Sequence, residues 1–370
     1  HAIREDPTRK GLLYAGTQHG VYISYDDGAS WQSLSLNLPD VPVADLIVEA
    51  NDLVIGTHGR GFWVLDHIGP LRQYTPEVVA AADAWLFTPP TGIRSTSPVA
   101  LTYWLKRPAK VVNLDVLDRA GAVIRSFTSD TTISPPGSPR PATDAGAHQL
   151  AWDLRYNSAT TFPGMILWGA TTAGPAAPPG SYTVRLTVDG KPLTVPVEVK
   201  RNPLFADVND EDLHAQFALA IQVRDKVSEA NNAVIEIRRI KKEADERMAK
   251  NSDARLKTAG TKLNTNLSDV EDDIYQVKNQ SNQDPLNFPI KINNRLANLL
   301  RVVNSGDGRP IAAAPVLFAE YTKLLNVQTT RLQQVISRDL PAFNAELKRL
   351  GLPVVEPPKC APGQTCATVL

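Results

Sequence analysis

The feature that most constrains the fold is the run SYDDGASW at residues 24–31. Asp27-Gly28 is a strong turn pair, because glycine adopts positive φ without strain and aspartate hydrogen-bonds its own backbone. Short β-prone runs that contain aromatic residues precede it. The pattern predicts a folded turn between strands, in which Asp26 accepts turn amides and Trp31 covers the hairpin with apolar surface.

A repeat of about 40 residues is a second and independent signal. Residues 13–17, LYAGT, recur as residues 53–57, LVIGT, and residues 20–22, GVY, recur as residues 61–63, GFW. The matched segments are β-prone and bounded by glycine. Repeats of this length built from short strands are typical of propeller blades rather than helical solenoids.

The same run has the spacing of an Asp-box, Ser-x-Asp-x-Gly-x-Ser/Thr-Trp, carried here by Ser24, Asp26, Gly28, Ser30 and Trp31. With the later run GTHGRGFWVLD, it makes the first 70 or so residues resemble the last blades of bacterial BNR/Asp-box repeat proteins, a group related to sortilin-type propellers. The remaining sequence resembles the C-terminal region of large secreted members labelled glycosyl hydrolase or exo-sialidase. The resemblance implies a propeller fold but no particular activity, since enzymes, receptors and assembly factors all carry Asp-boxes.

Strand patterns continue after the repeat. Alternation of apolar and polar residues in Tyr182–Val188 predicts a sheet packed on one face, and Asp189-Gly190 predicts the hairpin turn that follows. The unit is therefore predicted to be a β-sandwich, and the runs AHQLAWDLR and PPGSYTVRLTVDGKPLTVPVEVK resemble immunoglobulin-like modules of the flagellar-hook-cap type. The eight strand candidates are Ala84–Phe87, Val99–Leu105, Val111–Leu117, Ala122–Thr128, His148–Arg155, Met165–Trp168, Tyr182–Val188 and Leu193–Val199.

From Asp210 the apolar period becomes that of a helix. Asp210 is predicted as the N-cap of a long, coiled-coil-like helix, with two further acidic residues in its first turn. A second apolar stripe, Leu256 to Val277, is predicted to run back antiparallel to the first helix. The later helices are predicted at Lys291–Val303, Ala314–Ser337 and, as a short last helix, Pro341–Leu350, which together predict an antiparallel bundle.

The predicted fold class is therefore multidomain β plus α. The predicted domains are the terminal blades of a β-propeller (1–78), an immunoglobulin-like β-sandwich (79–203), an antiparallel helical bundle (204–353) and a C-terminal tail (354–370).

The tail holds both cysteines, Cys360 and Cys366. A disulfide between them is expected if the protein is exported, and two free thiols are the alternative. Two cysteines with no nearby histidine fall short of a four-ligand zinc site.

Charge and hydropathy exclude several classes of partner. Lys plus Arg and Asp plus Glu are balanced at 39 each, so no global field attracts nucleic acid or an anionic membrane. No apolar run is long enough to span a bilayer, and the first residues lack the apolar stretch of a signal peptide. The N-terminus of the precursor is therefore expected to lie elsewhere or to have been removed. The resemblance implies a secreted, periplasmic or cell-surface protein.

The run GTHGRGFW carries the candidate binding residues His58, Arg60 and Trp63, with His19 at the related position of the preceding repeat. Propeller loops commonly carry ligand contacts, so Arg60 is a candidate to bind a carboxylate and Trp63 to stack on a sugar. The alternative is structural: the polar side chains satisfy carbonyls between blades and the aromatic residues are core.

No catalytic residue, cofactor or metal is predicted. A sialidase-type site needs several arginines, a tyrosine nucleophile with a glutamate partner and an acid/base, drawn from several blades. Asp26 and Asp27 are adjacent and point opposite ways, so they cannot flank one glycosidic bond. The acidic run at 269–273 is predicted to be a solvated helix face, because a calcium loop needs a sharp glycine turn.

The sequence thus predicts the C-terminal part of an exported propeller protein that acts as a noncatalytic protein- or glycan-binding scaffold. Its predicted partners are the remaining blades, from the same precursor or another chain, and a protein or glycan ligand. Two alternatives stay open: accessory domains of a sialidase-like glycoside hydrolase whose site lies in upstream blades, and a structural or adhesive assembly subunit.

Overall fold

The computed structural model describes residues 2–134 and 137–358, apart from the side chains of residues 79 and 81. The chain divides into two compact units. One holds His1–Arg155 and Pro179–Asn202, and contains every strand of the described residues; the other holds Tyr156–Pro178 and the chain from Pro203 onward, with the long helices. The predicted mixture of β and α structure is confirmed. The finer division into domains stays a prediction.

The β unit begins with two consecutive antiparallel sheets. The first, in chain order, contains β1 (Ala2–Glu5), β2 (Leu13–Thr17), β3 (Gly20–Ser24) and β4 (Gln32–Ser33), and the second contains β5 (Val43–Glu49), β6 (Asp52–Thr57) and β7 (Phe62–Leu65). The sequence repeat forms the equivalent hairpins β2–β3 and β6–β7. In each hairpin the threonine hydroxyl donates to a glycine carbonyl, Thr17 to Gly20 over 3.2 Å and Thr57 to Gly61 over 2.7 Å.

These two sheets pack on each other through one shared core. Strand β2 comes so close to β5 that a Cβ built on Gly16 would lie 2.5 Å from Cγ1 of Val43. Glycine at position 16 therefore sets the spacing of the two sheets, since any side chain there would force them apart. The core residues from both sheets include Leu12, Tyr14, Val21, Ile23, Val43, Leu46, Leu53 and Ile55.

Two further sheets follow in the same unit, after the short helices α1 (Gly69–Gln73) and α2 (Pro76–Ala81). Their strands are β8 (Ala84–Leu86), β9 (Gly92–Ile93), β10 (Val99–Leu105), β11 (Val112–Leu117), β12 (Val123–Thr128), β13 (Gly146–Trp152), β14 (Gly180–Val188) and β15 (Lys191–Lys200). One sheet has the order β13-β10-β8 and the other β12-β11-β14-β15-β9, with only the β15–β9 pair parallel. The rings of Trp152 and Tyr182, one from each sheet, meet edge to face at 5.9 Å between centroids. The two sheets therefore face each other across an apolar interior.

Seven of the eight strand candidates coincide with observed strands, and the prediction at Met165–Trp168 is wrong. This segment is an irregular loop in the helical unit. The phenolic oxygen of Tyr275 accepts from the backbone N–H of Ile166, and the side chain of Asn294 pairs with both backbone groups of Trp168. Side chains thus satisfy the backbone groups that a neighbouring strand would otherwise satisfy.

The helical unit contains α3 (Asp210–Ala249), α4 (Ala254–Ile274), α5 (Ile292–Val303) and α6 (Ala313–Arg349). Helix α4 runs antiparallel to α3, because Arg238 pairs with Glu271 while Asp245, further along α3, accepts from Asn264, which precedes Glu271 on α4. The start of α3 packs instead along α5, where Gln216 donates to the carbonyl of Val303. The shorter helices α4 and α5 thus cover successive parts of α3. The antiparallel arrangement of the first two helices was predicted.

Two details of the helices differ from prediction. The N-cap of α3 is Asn209, whose side chain accepts from the amide of Asp212, and Asp210 is the first helical residue. Helix α6 continues through Pro341 where the sequence predicts two helices. The buried residues Leu340, Phe343 and Leu347 extend the apolar face across the proline, and their burial outweighs the lost backbone hydrogen bond.

Candidate functional site

The turn at residues 24–31 joins β3 to β4 and is closed by the carboxylate of Asp26. One oxygen accepts from the Ser24 hydroxyl and the Ser30 amide, each over 2.8 Å, and the other accepts from the Ser30 hydroxyl. Asp27 and Gly28 both have positive φ, 56° and 89°. The indole N–H of Trp31 donates to the carbonyl of Gly28 over 3.1 Å. Every one of these polar groups is used within the turn.

The pKa of Asp26 is lowered by the hydrogen bonds from the Ser30 hydroxyl and amide and from the Ser24 hydroxyl. These donors stabilise the carboxylate form. Asp26 is therefore an ionised acceptor that fixes the turn, and it has no proton to donate near neutral pH. A general acid in glycoside hydrolysis needs the opposite shift.

The candidate binding residues His19, His58 and Arg60 lie on exposed loops at one end of the first two sheets. Both loops contact the connection between the sheets: Nδ1 of His19 lies 3.1 Å from a carboxylate oxygen of Asp40, and the His58 amide donates to the carbonyl of Pro42. The structure therefore brings the two repeat-related loops to one connecting segment. Their exposed imidazole and guanidinium groups could donate to a ligand carboxylate, but no residue in this set is shielded from water.

Trp63 has a different environment from these loops. Its side chain is half-buried and packs against the shared core, and its indole N–H donates to the carbonyl of Arg60 over 3.1 Å. The neighbouring Phe62 is 85% exposed. Phe62 rather than Trp63 therefore supplies an aromatic surface near the loop. Phe62 was not predicted as a binding residue.

A buried polar cluster that the sequence did not reveal joins Tyr14, Asp6 and Arg72. Asp6 accepts from Nε of Arg72 over 2.8 Å, and the hydroxyl of Tyr14 lies 3.5 Å from the same carboxylate oxygen. Burial opposes the ionisation of Asp6, but hydrogen bonds from Arg72, Thr8 and Arg9 outweigh it and lower its pKa. The ion-pair partners are 66 positions apart in the sequence, so no local signal predicts their pairing.

Tyr14 and Tyr25 are not activated as nucleophiles. Burial, with the nearby negative charge of Asp6, raises the pKa of Tyr14 well above its usual range. Burial, with the neighbouring Tyr74, raises the pKa of Tyr25 to about 12. A tyrosine nucleophile needs phenolate character and access to substrate, and a buried neutral phenol has neither.

The acidic run at 269–273 is not wholly the solvated helix face that was predicted. Glu271 is buried and accepts from Arg238 over 2.7 Å and Lys241 over 3.1 Å, both on α3. Asp273 pairs with Arg331 of α6. These carboxylates bind neighbouring helices together and do not converge on a common point.

Within residues 2–134 and 137–358, no group of three or more His, Cys, Asp and Glu side chains could hold a metal ion. No helix in that part of the chain is long and apolar enough to cross a membrane. The predicted disulfide residues, Cys360 and Cys366, lie outside the described residues.

A cavity of about 360 Å³ in the β unit was not predicted. Its walls come from residues 82–85, 107–109 and 188–193, segments too far apart in sequence for any motif to join them. Trp85 is the aromatic residue in its lining.

No family model matches this chain. No curated protein matches it either. Among solved structures, CopC from Methylosinus trichosporium OB3b is similar over 32% of this chain and 95% of its own length, at 12% identity and a TM-score of 0.18. The extracellular domain of a hybrid two-component system from B. thetaiotaomicron matches 56% of this chain, which spans 31% of that structure's length, at 11% identity and a TM-score of 0.17. Neither likeness carries an argument about function.

Proposed function

We propose that this chain is the C-terminal part of an exported Asp-box propeller protein, and that it acts as a noncatalytic scaffold for a protein or glycan partner. In this proposal the first two sheets are consecutive propeller blades and the following pair of sheets is an immunoglobulin-like sandwich. The remaining blades come from the same precursor or from another chain.

The observation that carries the proposal is the exposed apolar row on the outer face of the second sheet. On the second sheet, Ile47 lies opposite Val54, which lies opposite Val64, and Ile47 and Val64 are 53% and 52% exposed. Phe62 continues this row along β7. On the first sheet, the outward Ile3 is 60% exposed.

Isolated antiparallel sheets usually present a polar face to water. Here the second sheet has one apolar face in the shared core, and the apolar row Ile47, Val64 and Phe62 is exposed on its other face. Stacked propeller blades bury both faces of each sheet, so two blades taken from a ring would expose one apolar face each. The equivalent hairpins of the 40-residue repeat further support this arrangement.

A noncatalytic role is supported by the protonation states of the candidate groups. Asp26 is held ionised within a turn, and Tyr14 and Tyr25 are held as neutral phenols. None is suited to proton transfer or nucleophilic attack near neutral pH.

Sedimentation of this 370-residue chain and of its longer precursor tests the proposal. The uncovered faces are expected to make the shorter chain self-associate as concentration rises, and Phe62→Asp with Val64→Asp should abolish that association. In the precursor, where further blades cover the face, the same two substitutions should instead lower the melting temperature. Ile133→Asp, at an exposed loop residue of the same unit, is the matched control.

Two results would count against the proposal. One is that the 370-residue chain is monomeric at every concentration and that the two substitutions leave the melting temperature of the precursor unchanged. The other is hydrolysis of sialyllactose by the shorter chain itself, which would replace the noncatalytic role with an enzymatic one.

A further inference from the structure

The cavity around Trp85 has a volume within the range of small-ligand sites. It is formed by the start of β8, the loop after β10 and the β14–β15 hairpin. Its volume of about 360 Å³ lies at the lower end of the range for small-molecule pockets and suits one ring rather than an extended chain. Its lining lies wholly within the β unit, so the site does not depend on the propeller proposal.

The hairpin wall is rigid because of Asp189. Its carboxylate accepts the amides of Lys110 and Val111, each over 2.9 Å, which joins the hairpin turn to the loop after β10. Asp189 and Gly190 have positive φ, 47° and 85°, as a tight hairpin turn requires. The cavity is therefore held open by two walls that are hydrogen-bonded to each other.

Trp85 supplies an aromatic surface to this cavity. It lies directly opposite Trp104 on the neighbouring strand β10, so the two indoles share one face of the sheet. The indole N–H groups of Trp31, Trp63 and Trp152 all donate to backbone carbonyls. Among the described residues, the structure shows no acceptor for the N–H of Trp85. The same is true of the indole N–H groups of Trp104 and Trp168, so Trp85 is set apart by its place in the cavity lining.

The charges at the rim are balanced. Asp83 accepts from Arg107 over 3.0 Å and lies 4.0 Å from Nζ of Lys191, and Asp189 adds a second carboxylate. Two acids and two bases give a rim with no net charge, which favours neither an anion nor a cation. The side chains of Asp83, Arg107 and Lys191 are all more than half exposed, so they can reorient toward a ligand.

We propose that this cavity binds one sugar ring of a neutral glycan. A pyranose has apolar C–H faces that suit an indole and Leu193, which is also in the lining. Its hydroxyls both donate and accept, so they can satisfy Asp83, Arg107 and Lys191 together. A simple anion would use only the bases, and an aromatic peptide side chain would leave most of the rim donors and acceptors unused.

The test is a titration of the intact chain with cellohexaose, chitohexaose and laminarihexaose, followed by calorimetry and tryptophan fluorescence. Saturable binding of at least one oligosaccharide is expected, with a change in indole emission. Trp85→Ala should weaken that binding at least about tenfold, which corresponds to losing about 1.4 kcal/mol. Trp168→Ala, at an exposed tryptophan of the helical unit, should leave affinity unchanged.

Asp83→Asn and Arg107→Gln test the rim without removing buried surface, so they keep the proposal testable if Trp85→Ala does not fold. Each is expected to weaken binding at least about threefold, by removing a charge-assisted hydrogen bond to a hydroxyl. No binding of any of the three oligosaccharides up to about 10 mM would overturn the proposal, because a millimolar site would be mostly filled there. Saturable binding of the peptide Gly-Trp-Gly, with no binding of the three oligosaccharides, would also overturn the proposal.

Discussion

The carboxylate of Asp6 is buried and accepts a hydrogen bond from Nε of Arg72 over 2.8 Å. The same guanidinium donates to the carbonyl of Ala50, at the turn between β5 and β6, and to the side chain of Asn51. One arginine thus joins the end of β1 in the first sheet to a turn of the second and to the helix that follows it. This ion pair fixes both sheets relative to α1.

Asp6→Asn is expected to cost about 3 kcal/mol of unfolding free energy at pH 7, because it leaves a largely buried guanidinium without its counter-charge. Asp45→Asn is the matched control, since its ion pair with Arg4 is exposed and should contribute less than about 1 kcal/mol. Urea unfolding monitored by tryptophan fluorescence measures both. Equal effects of the two substitutions would refute the structural role of the buried pair.

The Asp6 pair also predicts a pH dependence. The folded pKa of Asp6 is below its unfolded value, so its stabilisation is fully present above the unfolded pKa, near 3.8, and is lost as pH falls through the folded pKa. The difference in unfolding free energy between the wild type and Asp6→Asn should therefore shrink as pH falls below about 4. A difference that stays constant from pH 7 to pH 2.5 would mean that folding does not lower the pKa of Asp6.

The contact between the first two sheets predicts the effect of a side chain at Gly16. Gly16→Val should cost about 2–3 kcal/mol or more, because its Cβ alone would lie 2.5 Å from Val43. Val43→Ala should recover part of this loss by removing the methyl groups in the way. Gly69→Ala is the control, because nothing lies within 4 Å of its added Cβ. Thermal melting of Gly16→Val, Val43→Ala, the double variant and Gly69→Ala makes the comparison. A neutral Gly16→Val would show that these sheets are not in contact.

A buried amide network predicts how the loop at 156–178 is held in the helical unit. The side chain of Asn231 donates to the carbonyl of Thr160 over 2.7 Å and accepts from Asn293 over 3.1 Å. Asn231→Ala should cost about 2 kcal/mol and speed amide exchange in the loop, because two buried partners lose their hydrogen bonds. Asn264→Ala, which breaks an exposed bond to Asp245, is the control. Unchanged exchange in Asn231→Ala would contradict this role.

The sequence predicted the elements that are set by a local pattern of residues. It failed where contacts with residues distant in the sequence determine the local structure. The strand candidate Val99–Leu105 has the observed bounds of β10, and the turn residues around Asp26 were identified from their spacing alone. Met165–Trp168 has the composition of a strand, yet side chains from α4 and α5 satisfy its backbone. Pro341 has the local signature of a helix start, yet burial on either side of it keeps α6 continuous.

The candidate sites show the same difference between local patterns, which the sequence reveals, and long-range contacts, which it does not. His19, His58 and Arg60 were selected from related positions of two successive repeats, and the structure places them in exposed loops at one end of two sheets. The cavity at Trp85 combines residues up to about 110 positions apart, and the Asp6–Arg72 pair combines residues 66 apart. Such constellations depend on the path of the chain in space, which periodicity and turn chemistry do not supply.

The most direct test of the account is the accessibility of the second sheet's outer face in the longer precursor that the proposal requires. Val64→Cys, in a variant with Cys360 and Cys366 replaced by serine, would be labelled with a maleimide in the dilute 370-residue chain and in the longer precursor. Ile133→Cys serves as the reference for exposure. The account predicts labelling of residue 64 at least about tenfold slower in the precursor, as an added blade covers it. Equal rates in the two proteins would show that this face stays in water, and would contradict the propeller assignment.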